Sequence, residues 1–239
     1  MENIELPEDR LINRLKLHLK RINAILLKDL KSEFRSRYGI SAISLFILTS
    51  VTMLLFGTGS GKLENSLYSG LMWLIMFFGS MTGLSKGFVR EEELQTSLFL
   101  KMSSKPSYIY FGKLIYNILF SISLNGLAII LFIFFFGELI IRSPLEFIVL
   151  IFFGSIGIGS ATTVIAAIIS KAGIKNSLFT VLSFPVLLPL IIIGIEGTTF
   201  SFEGTTFSEI DSNIKILIAY SGVLIPVSYI VFDMIWEDS

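Results

Sequence analysis

Apolar residues in this chain come in long unbroken blocks. From Ile40 to Phe56 there is no Asp, Glu, Lys or Arg, and from Leu114 to Gly137 there is again none. Blocks of this length predict membrane-spanning helices, because only a helix satisfies all of its own backbone inside hydrocarbon. Six spans follow: Ile40–Phe56, Leu67–Leu84, Tyr108–Phe136, Phe147–Ser170, Ser177–Ile195 and Ile214–Phe232. The third is longer than the roughly 20 residues a bilayer core needs, and is expected to begin as a tilted or interfacial segment. Pro106 and Pro144 stand just ahead of spans three and four, where a missing N–H costs a helix little. The pattern predicts an all-α integral membrane protein.

Two stretches depart from the block pattern. Before span one, Leu11, Leu15, Leu19, Ile22, Leu26, Leu30 and Phe34 recur at three- and four-residue steps with basic residues between them. This is the pattern of a basic amphipathic helix lying along a membrane surface. The chain therefore divides into an interfacial helix over 1–38 and a six-span domain over 39–239. The second stretch, FVREEELQTSLFLKMSSKP from Phe88 to Pro106, joins spans two and three. Arg90, Glu91, Glu92 and Glu93 open it, with the acids at a helix start, where they favour the dipole. Leu94, Leu98 and Met102 then share one face, Phe99 broadens it, and Ser103, Ser104 and Pro106 close it. So short a helix is marginal in water and needs a surface to pack on, either a membrane or a docking protein.

Charge adds an orientation. Only 16% of residues are charged, against about a quarter in soluble domains. All but three of the 19 lysines and arginines fall before span one, in the loop after span two together with the start of span three, or in the loop after span four. Lys62, Arg142 and Lys215 are the exceptions. The positive-inside rule places both termini and the 88–106 stretch in the cytoplasm of a cell inner or plasma membrane protein. The first apolar run begins near Gly39 behind a long charged segment, which speaks against a cleavable signal. Lipid and protein, rather than nucleic acid, are the expected partners.

Little in the chain is chemically active. There is no cysteine, and His18 is the single histidine, so no His-based triad, HExxH zinc site or paired haem ligation can form within one chain. GTGSGK, Gly57 to Lys62, fails as a phosphate loop: Phe56 stands where the first glycine belongs, and Leu63 follows the lysine. No ionisable residue lies at the middle of a span, where ion-coupled transporters place one. Lys113, Glu138, Glu146 and Asp233 lie near span ends, and Asn117 and Asn125 are expected to hydrogen-bond between helices. In span four, Ser155, Gly159, Thr163 and Ala167 make a small-residue stripe for close helix approach. Pro185 and Pro189 should kink or soften span five. After it, EGTTF occurs twice, at Glu196–Phe200 and Glu203–Phe207, a local duplication expected to form a strand-like or interfacial excursion. Trp73 and Trp236 read as isolated, Trp236 as an interfacial anchor.

Three stretches carry a resemblance to a known family. KDLKSEFRSRYGI precedes span one, GLSKGFVREEELQTSLFLKMSSKPSYIYFGKLIYN surrounds the charged stretch, and SKAGIKNSLFTVLSFPVLLPLIIIG runs into span five. The chain resembles the CcmB family, the permease subunit (haem exporter protein B) of the ABC-type complex for cytochrome c maturation. Phe88, Glu91, Ser103, Ser104, Pro106, Gly112 and Lys113 match the family pattern. Gln95-Thr96 stands where Gly-Thr or Gly-Ser is usual. The resemblance implies an ABC-exporter permease type of fold with 88–106 as a coupling helix on a separate ABC ATPase subunit. It also implies a homodimer of this chain with two ATPase subunits, a haem-handling membrane protein and a haem chaperone. No cofactor is then expected to bind this chain directly: ATP acts through the partner, and haem is a possible cargo. A permease for a lipid, polysaccharide or drug, and an uncoupled membrane scaffold, are the competing readings.

Overall fold

The computed structural model of the chain describes residues 7–35, 37–59, 63–84, 102, 104–137, 139–171, 178–205 and 207–237. They form seven helices: α1 (Pro7–Arg35), α2 (Arg37–Thr58), α3 (Asn65–Leu84), α4 (Pro106–Phe135), α5 (Pro144–Lys171), α6 (Phe179–Glu203) and α7 (Phe207–Glu237). Among the described residues there is no strand. The last six are long and apolar enough to cross a membrane, matching the six spans in number and order.

The helix α5 sits at the centre and touches α3, α4, α6 and α7. Of its apolar window 72% is buried, against 17% for α7 and 22% for α2, which leave most of their surface exposed. Side-chain size explains the difference. In lipid, apolar character does not distinguish inside from outside, so close backbone approach selects the interior helix. Gly159 lies against α4 so closely that a Cβ would stand 2.8 Å from the Ile118 Cα and 3.0 Å from the Asn117 carbonyl oxygen.

The structure corrects the reading of the segment after span five. The first EGTTF copy is helical, and α6 runs on to Glu203, well past Ile195. Gly197, Thr198, Ser201 and Phe202 of this extension are buried. The missing side chain of Gly197 leaves room for Leu150, whose Cδ2 would be 2.8 Å from a Cβ there. Packing thus overrides the weak helix propensity of Gly and Thr. The second copy holds the break: Gly204 ends α6 in the left-handed region (φ 70°), its N–H donating to the Phe200 carbonyl at 2.9 Å. Arg142 covers that turn and donates from Nη1 to the Glu203 carbonyl at 2.9 Å.

Trp73 is also not isolated. It is fully buried between α5 and α6, where Gly154 and Gly194 supply the notch that its ring fills. Its Nε1–H donates to Thr198 Oγ1 at 3.0 Å.

Candidate functional site

The first turns of α4 follow directly on the 88–106 stretch, and among the described residues they make long-range polar contacts with α1 and α7. Pro106 occupies the first turn, where its lost N–H is one the helix leaves unpaired in any case. At 30 residues α4 is about 45 Å long, well beyond a hydrocarbon core of about 30 Å. Its beginning therefore reaches the membrane boundary, and α1 docks there.

Three residues of α4, Tyr108, Gly112 and Lys113, clamp α1. The Tyr108 hydroxyl is 2.5 Å from His18 Nδ1, and the Arg21 guanidinium lies 5.5 Å from the centre of the Tyr108 ring. One turn on, Gly112 has no room for a Cβ, which would fall 2.7 Å from Ile25 Cγ2 and 3.2 Å from the Ile22 carbonyl oxygen. Beside it Lys113, buried, reaches Asp29 Oδ2 at 3.5 Å. The Gly-Lys pair of the sequence pattern is thus where α1 seats: the glycine admits the helix and the lysine meets its carboxylate. The helix α1 rests on protein along this edge, in addition to any lipid it touches.

From the clamp, polar contacts run along α4 into the bundle. The Tyr110 hydroxyl donates to the Ile225 carbonyl at 3.0 Å, next to Pro226 of α7. Asn117 Nδ2 donates to Thr163 Oγ1 at 2.9 Å, tying α4 to α5. Asn125 joins three helices: it accepts from Ser80 Oγ of α3 at 3.0 Å and donates to Ser155 Oγ of α5 at 3.0 Å. Both asparagines bond between helices, as the sequence suggested. A last link binds the proline helix. Pro189 has no N–H for the Pro185 carbonyl, which loosens that turn, and the Tyr220 hydroxyl of α7 donates to the Val186 carbonyl within it.

The structure brings together Ser155, Gly159 and Thr163 on the face of α5 that meets α4. Ala167 is buried further along the same helix. Pro185 and Pro189 lie inside α6, which continues through both. Of the charged stretch, Met102 is described and exposed, and Ser104 and Pro106 at the entry to α4 are partly buried. Phe88, Arg90, Glu91, Glu92, Glu93, Leu94, Leu98, Phe99 and Ser103 lie outside the described residues. The roles of Trp73, Tyr110, Tyr220 and Asp29 escaped the sequence reading. Only the buried-partner rule for Trp N–H and Tyr O–H could have flagged the first three. Among the described residues, no group of three His, Asp or Glu could hold a metal ion.

Six apolar helices around a small-residue centre, with their polar groups turned on one another, define a polytopic helical membrane protein of permease type. The family model described as CcmB protein matches residues 20–232. The chain belongs to the CcmB family. Comparison with curated proteins gives no match. Membership implies a permease-type subunit of a haem-exporting ABC system in cytochrome c maturation, working with an ABC ATPase.

Proposed function

We propose that this chain couples ATP hydrolysis in a separate ATPase subunit to haem delivery, with 88–106 as the segment the ATPase grips. The family match over 20–232 carries the reading. Two further observations support it. The 88–106 stretch feeds straight into α4, and α4 contacts α1, α2, α3, α5 and α7. The lysines and arginines also cluster before span one and around the loops after spans two and four, the side that the positive-inside rule assigns to the cytoplasm, where ATP is.

Mechanically, closure of the ATPase would press on Glu91–Ser104 and displace α4 along its axis. Asn117 and Asn125 would carry that displacement to α5 and α3, and Tyr110 would carry it to α7. Two copies of the chain would face two ATPase subunits. Haem is the cargo of the system, and the chain's single histidine is engaged with Tyr108. We therefore favour energised release of a haem-loaded chaperone through a partner membrane protein over passage of haem through this subunit.

The test is charge reversal of Glu91, Glu92 and Glu93 to lysine in the reconstituted complex. The expected outcome is loss of at least about tenfold in complex-dependent ATPase activity, roughly 1.4 kcal/mol of coupling, together with weaker co-purification. Unchanged activity and co-purification would leave a scaffold as the better reading. ATP-driven haem flux without the chaperone would shift the mechanism to direct translocation.

A further inference from the structure

The clamp on α4 fixes the rotation of α1 about its own axis, and with it the flank that α1 turns outward. His18, Ile22, Ile25 and Asp29 face α4. Away from them, Leu19 (65% exposed), Leu27 (45%) and Phe34 (69%) form an open apolar edge. Lys16, Lys20, Lys31 and Arg35 are all exposed, at helical spacings that place them beside that edge. Asp29 lies on the docked edge, Glu33 lies near it, and both are partly buried. Arg21 and Lys28 sit nearer the docked edge, over Tyr108 and beside Asp29, whereas Lys16, Lys20, Lys31 and Arg35 occupy the open flank with no described acid among them.

The depth of α1 favours lipid as the occupant. From Lys113 to Phe135 α4 rises about 33 Å, one hydrocarbon thickness, so α1 is clamped where the acyl region ends and headgroups begin. The next helix, α2, also exposes apolar side chains, Leu45, Phe46 and Leu48. A basic flank beside an apolar edge at that level matches an anionic leaflet in both charge and polarity.

We propose that the outward flank of α1 docks on the membrane with a preference for anionic headgroups. Lys16, Lys20, Lys31 and Arg35 meet the phosphates, while Leu19, Leu27 and Phe34 enter the acyl chains. Because α1 is clamped to the first turns of α4, lipid charge then bears on the position of α4 itself. The inference requires only that the chain spans a membrane, and it stands whether or not 88–106 grips an ATPase.

The chain has no cysteine, so Leu19→Cys or Phe34→Cys places one fluorophore on the full-length protein in nanodiscs. Quenching is compared between brominated phosphatidylglycerol and an equal fraction of brominated phosphatidylcholine. The expected result is stronger quenching by the anionic lipid, by about twofold or more. That preference should fade as salt rises from about 0.1 M to about 1 M, and should vanish when the four bases become glutamine. Val223→Cys, exposed within the span of α7, should report no preference. The salt series uses unaltered bases, so it holds even if the four-fold variant misfolds. Equal quenching by both lipids would overturn the headgroup preference. Absence of quenching by either would place the flank on a protein or in water and overturn the proposal entirely.

Discussion

Gly159 sets the smallest scale at which this fold is decided. A methyl group there would meet backbone atoms of α4, and no rotamer change relieves a contact with a Cα or a carbonyl oxygen. Gly159→Ala should therefore lower stability by about 1–3 kcal/mol, although alanine is the better helix former. Gly126→Ala, in α4, has nothing within 4 Å of the new methyl and should be neutral or slightly stabilising. Thermal unfolding in mild detergent compares the two, and equal effects would remove close approach as the reason for the central place of α5. Asn125 works at the same scale by opposite means. It is a polar group buried between three helices, and its partners on each side relieve the cost of taking it out of water.

Among elements, the contact of α1 with α4 combines an ion pair with a close glycine seat, and each can be altered separately. The Lys113 ammonium is almost fully buried and the Asp29 carboxylate largely so. Taking one charge from such a pair costs more than removing both. Lys113 has further contacts, so Asp29→Ala should cost about 2 kcal/mol, below the range for a wholly dependent pair. Adding Lys113→Met should recover most of that loss in a double-mutant cycle of unfolding midpoints. Strict additivity would mean that the apolar seat of Ile22 and Ile25 on Gly112 alone holds α1. The Tyr220 bond to Val186 belongs to this scale too: it fastens α7 onto the turn of α6 that Pro189 loosens.

At the scale of the whole molecule, α4 connects most of the fold, because it is longer than the membrane is thick and begins next to the 88–106 stretch. A force applied there reaches five of the other six helices through packed or hydrogen-bonded contacts. The orientation this requires is open to a direct check, since the chain carries no cysteine of its own. Glu64→Cys, exposed between α2 and α3, should react with a membrane-impermeant maleimide on intact cells. Met102→Cys, 82% exposed, should react only after permeabilisation. The reverse pattern would turn the molecule over and take 88–106 out of reach of any cytoplasmic ATPase.

The number and order of spans, the amphipathic character of α1 and the role of the two asparagines were legible in the sequence. Long apolar blocks and helical spacing are local properties, and a bilayer leaves an apolar chain almost no alternative to helix. The tertiary structure alone decided that the first EGTTF copy continues α6 as helix. It also decided that Trp73 fills a notch made by glycines far along the chain, and that Asp29 meets Lys113. Each depends on which surfaces come face to face. In lipid, where apolar residues are at home on either side, that choice rests on shape and on polar partners that no single stretch of sequence contains.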